Sequence, residues 1–291
     1  MSTSSSATVF VSSAALSLSC ISFSINVYLL LLIFCFKRIE RKPELSLIYS
    51  RFAVDVLLSL ATASNMIHII KSLTSPEILE FEHMNILKFL VAWPNFSLGT
   101  LRAGLVFFIT TDRVLAMYFP IPYHLHRSSV SNWIVFLLLF CNFSFEALFL
   151  FVFCEYRLEV PVDCLGFGCV VNRCYKDHWL VSEQILYFSI MVMAVLLSGK
   201  LVSLNCTSKT TEKEKLSRAN RIALLDVFVV FLFDFLPAFF YSHFPQINFK
   251  TVGPIATLTK SAVIVMEAAI IHTILTQKQR KVNNITPAMS S

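Results

Sequence analysis

The sequence predicts an all-α membrane protein, a bundle of seven membrane-spanning helices, from its composition, its long apolar segments and the charges between those segments. Of 291 residues, 56% are hydrophobic and 14% are charged, a balance typical of proteins that fold in lipid. Residues 1–36 carry no charge, and this uncharged run is too long for a cleaved signal segment. We therefore expect it to be retained as the first span.

Seven apolar segments are long enough to cross a bilayer, which takes roughly 20 helical residues. They are continuous runs without the alternating pattern of outer-membrane strands, so we predict helices, whose backbone hydrogen bonds are satisfied within each span. We expect one domain over 1–291, with a short cytoplasmic tail at 277–291. The predicted spans lie near 9–36, 46–70, 87–112, 133–153, 181–204, 222–244 and 252–276.

Basic residues between the spans predict the orientation of the bundle. They concentrate after the first, fifth and seventh spans, at Lys37, Arg38, Arg41, Lys42, Lys209, Lys213, Lys215, Arg218, Arg221, Lys278, Arg280 and Lys281. The positive-inside rule counts Lys and Arg alone, and it places the N-terminus outside and the tail in the cytoplasm. The net charge of +6 is therefore interpreted as orienting charge. Without a basic stripe interleaved with aromatic residues, it predicts no nucleic-acid partner.

Three cysteines, Cys164, Cys169 and Cys174, lie in the longest segment predicted to be outside, where the compartment is oxidising. We expect one disulfide among them or with Cys154. Zinc binding is the alternative, but no histidine completes a zinc-ligand spacing convincingly. We predict neither a metal nor another cofactor.

A charged pair, Asp112 and Arg113, ends the third predicted span in the stretch TDRVLAMYFP at 111–120. A guanidinium is always charged and offers five donors, so it can be held by the neighbouring carboxylate and released to a partner. The alternative is an arginine that extends to the membrane interface to keep its charge in water. The position of the pair at the end of the third of seven spans favours a switch.

Polar side chains are also predicted at membrane depth, among them Asn26 in the first span and Asp55 in the second. An intramembrane carboxylate costs a few kcal/mol and needs a partner. Arg51 lies one turn before Asp55 and is one candidate. Arg102 is the other, because it stands eleven positions before Arg113 and therefore on nearly the same face of the third span, about three turns further out.

The sixth and seventh spans contain further residues that are unusual at membrane depth, among them Pro237, Asp234, Lys260 and Glu267. Pro237 removes a helix hydrogen bond and kinks the sixth span, which makes either a lever or a passive bend. Asp234 precedes it by one turn, and Lys260 and Glu267 lie on one face of the seventh span. We expect Lys260 to pair with Asp234 or Glu267. Glu146 in the fourth span receives no role from the sequence.

Several of these segments resemble the rhodopsin-like receptors. DRVLAMYFP at 112–120 is similar to their D-R-Y-x-x-x-x-x-P signature, AVDVLL at 53–58 to their A-x-D-L-L core, and FLFDFLP at 231–237 to F-x-x-C-W-x-P. The seventh span lacks N-P-x-x-Y, and Lys88 stands where those receptors keep a disulfide cysteine. DRVLAMYFPIPYH at 112–124 together with RANRIALLD at 218–226 resembles the nematode serpentine chemoreceptors, most closely the class Srbc.

The resemblance implies a G-protein-coupled chemosensory receptor of rhodopsin-like architecture, in the plasma membrane and at a sensory cilium. Its partners would be a small molecule bound in the outer half of the bundle and a heterotrimeric G protein. In the rhodopsin-like pattern, the position of Arg102 helps to form a sodium pocket with the second-span Asp, so Arg102 would supply that cation covalently. The implied roles are switch and G-protein coupling at Asp112, Arg113, Tyr118, Pro120 and Pro237, a polar core at Asn26, Asp55 and Arg102, and ligand binding at Asp234, Phe235 and Lys260.

A transporter or channel is the alternative, since the intramembrane charges could form a pathway through the bilayer. Transporters usually have repeated halves and broken helices, and this sequence has neither clearly. The sequence has no histidine cluster, nucleophile motif or phosphate-binding loop, so we predict that the protein is not an enzyme.

Overall fold

The computed structural model describes residues 3–38, 45–74, 83–127, 132–158, 160, 164, 167–207, 223–225, 227–229, 231–237, 239 and 254–285. All regular structure in these residues is helical. The helices are α1 (Thr3–Phe34), α2 (Ser46–Thr74), α3 (His83–Tyr118), α4 (Pro120–Arg127), α5 (Asn132–Leu148), α6 (Phe167–Val170), α7 (Arg173–Thr207) and α8 (Ile255–Ile285). A π-helix at Phe149–Phe153 continues α5, and a second at Phe231–Phe235 lies in the predicted sixth span.

Five described helices are long and apolar enough to cross a membrane: Ser6–Phe34, Ser46–Thr74, Trp133–Phe153, Arg173–Ser203 and Ile255–Thr273. The helix α3 has 36 residues and is long enough to cross, but the buried and charged Arg102 interrupts its apolar sequence. The sixth predicted span, 222–244, is described only in part, with a shorter apolar helix at Ala223–Phe233. We use "outer" and "inner" for the two ends of the bundle as the loop charges assign them.

Several helices extend beyond their predicted spans, and α8 continues to Ile285 where the span was predicted to end at 276. Helix α3 continues to Tyr118, past the predicted end at 112, and α7 begins at Arg173 where the span was predicted from 181. Hydropathy marks where a chain leaves the hydrocarbon, whereas a helix ends where its backbone hydrogen bonds end. Polar residues continue a helix into the interface, so the apolar segments underestimate the length of α3 and α7.

The helices pack in the order α1 on α2 and α8, α2 on α3, and α3 on α7. Lipid is as apolar as the side chains between the helices, so close packing and interhelical hydrogen bonds hold the bundle together. Ser22 of α1 bonds Ser59 of α2 at 2.8 Å, and Ser19 of α1 bonds Ser261 of α8 at 3.2 Å. The apolar core of the inner half includes Leu29, Ile33, Ile48, Phe52, Ile109, Met117, Leu197, Ala268 and Ile271.

A glycine allows α3 to approach α5. A Cβ atom added at Gly104 of α3 would lie 2.8 Å from Cδ2 of Leu139 in α5. Gly99, in the same helix, has nothing within 4 Å of the corresponding position. Small residues at helix contacts are a common device for close packing in membranes. Gly104 therefore belongs to the α3–α5 contact, and Gly99 does not.

We expect Gly104→Val to lower the free energy of unfolding by about 1–3 kcal/mol, the usual cost of overpacking a buried site. Gly99→Val introduces the same side chain into the same helix at an open position, and we expect a change of at most about 0.5 kcal/mol. Thermal unfolding in detergent compares the two variants. Equal losses would show that the α3–α5 contact tolerates added volume.

Candidate functional site

Four charged side chains meet in the middle of the bundle. The helix α2 contributes Arg51 and Asp55, α3 contributes Arg102, and α8 contributes Glu267. Arg102 donates from Nε to Oδ1 of Asp55 at 2.8 Å and from a terminal nitrogen to Oε2 of Glu267. Arg51 lies 3.6 Å from Asp55 and 3.6 Å from Glu267. We call these four residues the charge cluster.

The charge cluster is electrically balanced, with two guanidinium groups facing two carboxylates. The side chains of Arg51, Asp55 and Glu267 are 1% exposed and that of Arg102 is 6% exposed. A buried charge is costly unless it is paired and hydrogen-bonded. Here each arginine approaches both carboxylates, so three helices are joined at one point through charges that would be unfavourable separately.

The sequence offered Arg51 and Arg102 as alternative partners of Asp55, and both contact it. Arg102 forms the direct hydrogen bond, and Arg51 lies at a longer distance from the other carboxylate oxygen. The sequence did not indicate that Glu267 belongs to this cluster, since it offered Glu267 and Asp234 as the two alternative partners of Lys260. Lys260 lies half-buried on α8, seven positions before Glu267. The functional roles of these residues stay predictions.

Asn26 of α1 is linked to the backbone of Asp55 through two buried serines. Its amide nitrogen donates to the carbonyl of Ser22 at 3.0 Å. Ser22 bonds Ser59 of α2, and Ser59 donates to the carbonyl of Asp55 at 2.7 Å. All of these residues are buried. Of the three predicted polar-core residues, Asp55 and Arg102 thus lie in the charge cluster, and Asn26 is linked through two serines to the backbone of Asp55.

The charged pair at the inner end of α3 is held by a tyrosine. A terminal nitrogen of Arg113 lies 3.1 Å from Oδ2 of Asp112. The hydroxyl of Tyr123, in α4, reaches both oxygens of Asp112, at 3.1 and 3.0 Å. Arg113 is 5% exposed. Asp112, Arg113 and Tyr123, which we call the inner switch, are therefore joined, and the arginine is folded against the bundle rather than extended into water.

Tyr118 and Pro120 lie next to the inner switch. Tyr118 donates from its hydroxyl to the carbonyl of Leu196 in α7 at 3.2 Å, and the ammonium of Lys200 lies 5.3 Å from the centre of its ring. Pro120 is exposed and is the first residue of α4. Proline suits this position because a helix has no use for the first amide hydrogens, and its fixed φ angle matches the helix. The tyrosine joins α3 to α7, and the proline starts the helix that carries Tyr123.

The sixth span contains a π-helix that ends two residues before its proline. Phe231–Phe235 is π-helical, and Pro237 follows two residues later. Proline leaves the carbonyl one turn earlier without its usual donor, and a widened turn accommodates the change. The rings of Phe231 and Phe235 stack at 5.7 Å, and those of Phe235 and Phe239 at 6.0 Å.

The three predicted ligand residues have different surroundings. Phe235 packs against a buried cluster that includes Val106 of α3, Tyr187 of α7 and Val227 of the sixth span. Lys260 is half-buried on α8. The side chain of Asp234 lies outside the described residues, as does the basic segment between α7 and the sixth span. In the part of the chain that is described, no group of three His, Cys, Asp or Glu side chains is placed to hold a metal ion.

The family model described as serpentine type 7TM GPCR chemoreceptor Srbc matches residues 4–279. The chain belongs to the Srbc chemoreceptor family. A comparison with curated proteins finds no match. Membership in Srbc confirms the resemblance inferred from the motifs and the seven-span helical fold. It also makes the chain a multi-pass membrane protein of a chemoreceptor family rather than of an enzyme family.

The charge cluster and the inner switch both lie within the part of the chain that the Srbc family model matches. The charge cluster at Arg51, Asp55, Arg102 and Glu267 and the inner switch lie between residues 4 and 279. This Srbc chain departs from the rhodopsin-like signature by having a valine after Asp112-Arg113. Tyr123, eleven positions after Asp112, nevertheless supplies a hydroxyl to the carboxylate. No spacing rule links residues on either side of a helix break, so the sequence did not indicate this role.

The outer loop of the Srbc chain is held by two disulfides. Cys154 bonds Cys174, and Cys164 bonds Cys169. The sequence led us to expect one disulfide, among the last three cysteines or with Cys154, and the structure contains both kinds. Tyr156 donates a hydrogen bond to the carbonyl of Val170 in the same loop. Burial raises the pKa of Tyr156 above its ordinary value, which keeps the phenol protonated as a donor.

Proposed function

We propose that this chain is a G-protein-coupled chemosensory receptor, which binds a small molecule in the outer half of the helix bundle and activates a heterotrimeric G protein. The arrangement that carries the proposal is the inner switch. A buried Arg113 beside Asp112 and Tyr123 is a charged group held at the end of α3, where a cytoplasmic partner could take it up.

The inner switch supports a two-state mechanism. In the resting packing, Arg113 contacts Asp112, which also accepts hydrogen bonds from Tyr123 of α4. Movement of α4 or of the inner end of α3 separates these groups and frees the guanidinium for a carbonyl or carboxylate on the G protein. The exposed Tyr118 and Pro120 and the basic inner segment before the sixth span complete the proposed contact surface.

The agonist acts by preferring the active packing. A ligand shifts a two-state equilibrium only if it binds one state more tightly than the other. Moving the equilibrium from 1:99 to 99:1 takes an affinity for the active state about ten-thousand-fold higher than for the resting state. We place the ligand among the outer halves of spans three, five, six and seven, with Asp234, Phe235 and Lys260 as contacts. The sixth span pivots at Pro237, where the π-helix Phe231–Phe235 already departs from regular helix geometry. Sensory-cell plasma membrane, at the cilium, is the proposed location.

The charge cluster favours a receptor over a transporter. The transport alternative rests on charges arranged along a path through the membrane. Instead, Arg102 and Arg51 each contact both Asp55 and Glu267 in a single buried group. Charges paired in this way join helices, and an ion that moved among them would have to break several of the contacts.

The test replaces Arg113 with alanine. Cells that express the chain and a heterotrimeric G protein are exposed to a panel of small molecules, and nucleotide exchange on the G protein is measured. We expect a panel member that activates the wild-type chain to produce no exchange with Arg113→Ala, because the group offered to the G protein is gone, while surface expression stays unchanged.

Arg173→Ala is the matched control. It removes the same side chain at the outer end of α7, where Arg173 is 94% exposed, and it should respond as the wild type does. Unchanged exchange with Arg113→Ala would contradict the proposed coupling. Charge flux across vesicles that contain the purified chain would support the transport alternative.

A further inference from the structure

A buried carboxylate near the outer end of α5 has no arginine or lysine among its contacts in the described part of the chain. Asp55 and Glu267 each contact two arginines. Glu146 instead accepts a hydrogen bond from the hydroxyl of Tyr175 at 3.0 Å on Oε2, and its Oε1 lies 3.7 Å from Nε2 of His178. The latter distance is longer than a hydrogen bond.

Glu146 lies in a crevice between α3, α5 and the first turns of α7. Its lining includes Phe96 and Thr100 of α3, Asn142 of α5, and Tyr175 and Trp179 of α7. The hydroxyl of Thr100 donates to the carbonyl of Phe96 at 3.3 Å, which leaves its oxygen able to accept. A carboxylate oxygen, a hydroxyl and an amide thus surround one small space.

Aromatic rings form the walls of this crevice. The rings of Phe96 and Trp179 meet edge to face at 5.3 Å, and Tyr175 lies 5.5 Å from Trp93. His178, which contacts Glu146 but does not line the crevice, stacks on Phe149 at 3.7 Å. A positive charge is attracted to the faces of aromatic rings as well as to a carboxylate. The aromatic lining residues and Glu146 therefore favour the same sign of charge.

The free space in the crevice is about 10 Å³, enough for one water-sized group. A primary ammonium is of that size and donates three hydrogen bonds. A quaternary ammonium is larger and donates none. Asn142 and Phe143 are exposed on the lipid side of α5, so an alkyl chain attached to the ammonium can lie along the helix in the bilayer.

We propose that this crevice is a binding site for the primary ammonium group of an amphiphilic amine, with Glu146 as its counterion. The ammonium donates to Oε1 of Glu146 and to Thr100, and the aromatic walls surround the charge. The crevice shares α3 and α7 with the ligand cavity proposed above, but its lining contains none of the ligand contacts Asp234, Phe235 and Lys260. The proposal concerns binding and does not depend on G-protein coupling.

The experiment measures tryptophan fluorescence of the full chain. The three tryptophans are Trp93, Trp133 and Trp179, and Trp133, 79% exposed at the other end of α5, is replaced by phenylalanine to lower the background. The protein in phosphatidylcholine nanodiscs is titrated with n-butylammonium, n-butanol, tetramethylammonium or sodium chloride at constant ionic strength. We expect a saturable fluorescence change with n-butylammonium alone.

Glu146→Gln should weaken n-butylammonium binding at least about tenfold, because a charge-assisted hydrogen bond is lost. Glu155→Gln removes the same charge from an exposed position in the outer loop and should leave binding unchanged. If Glu146→Gln does not fold, Thr100→Val carries the test: it keeps the charge and the shape of the side chain, and it should weaken binding several-fold.

Nanodiscs that contain phosphatidylethanolamine identify the source of the ammonium. A lowered apparent affinity for n-butylammonium in them would assign the site to a lipid headgroup, and an unchanged affinity would assign it to a free amine. Equal binding of n-butanol, or of n-butylammonium to Glu146→Gln, would overturn the proposal. A saturable response to sodium chloride would also overturn it, in favour of a metal-cation site.

Discussion

Replacement of Arg102 by methionine is expected to lower the free energy of unfolding by about 3–5 kcal/mol, as measured for buried ion pairs that lose one partner. Methionine keeps most of the volume of arginine, so the loss reports on charge. Asp55 and Glu267 would then share Arg51 alone, and Arg51 lies 3.6 Å from each of them. The charge cluster would change from neutral to a net charge of −1, buried in the membrane.

A second substitution separates the effect of charge from that of packing. Arg102→Met combined with Glu267→Gln leaves Arg51 facing Asp55, which restores a balanced pair. We expect the double variant to be more stable than Arg102→Met alone, so the two effects are not additive. Thermal unfolding in detergent compares Arg102→Met, Glu267→Gln and the double variant. Arg173→Met is the control, since Arg173 and Asp177 form an exposed pair whose loss should cost at most about 1 kcal/mol.

Replacing sodium by another cation tests the role of Arg102 in the charge cluster independently. If Arg102 supplies the positive charge that a bound sodium ion would otherwise provide, wild-type unfolding and signalling should not respond to exchanging sodium for N-methylglucamine. Arg102→Met should respond, because sodium can enter between Asp55 and Glu267. A sodium-independent Arg102→Met that still folds and reaches the surface would contradict the idea that Arg102 takes the place of the ion.

Removal of the Cys154–Cys174 disulfide is expected to have the second largest effect on stability. The bond spans 20 residues and the Cys164–Cys169 bond spans 5. Because a crosslink lowers the entropy of the unfolded chain by more when its loop is longer, loop closure predicts a loss of about 3 kcal/mol for the first and about 2 kcal/mol for the second. Cys154 also lies in a buried cluster with Tyr156, Tyr175 and Phe89.

Paired Cys→Ala variants at each bond test this order by thermal unfolding. Reductant should lower the unfolding temperature of the wild type toward that of the variant without Cys154 and Cys174. It should have a smaller effect on that variant, in which only the short loop remains crosslinked. Equal losses from the two pairs would mean that loop length does not control the contribution of these bonds.

Helix periodicity was enough to predict the contact between Arg102 and Asp55. Arg102 and Arg113 lie eleven positions apart, which a helix turns into neighbouring rows on one side of α3, and Asp55 is a carboxylate that needed a partner. The contact of Glu267 with Arg102 depended on the rotation of α8 about its own axis. No periodicity within α8 determines that rotation, so the sequence offered Glu267 only as one of two partners for Lys260, with Asp234 as the other.

The contacts of Glu146 and Tyr123 could not be predicted either, because they depend on how the chain turns between helices. Glu146 received no role because its partners, Tyr175 and His178, lie about thirty residues further along the chain. Their position follows from the Cys154–Cys174 bond, which holds the start of α7 beside the end of α5. Tyr123 reaches Asp112 only because the chain turns at Phe119 and begins α4 at Pro120.

The sequence by itself determined that this is a multi-span helical membrane protein of the Srbc family, because long apolar runs must be helical in lipid and the motifs at 53–58, 112–124 and 218–226 are local. It also determined which polar residues need partners, since the cost of a charge in lipid depends on residue type. Tertiary structure alone decided which partners they have. Four charges from α2, α3 and α8 form one neutral cluster because the packing of three helices brings their faces together.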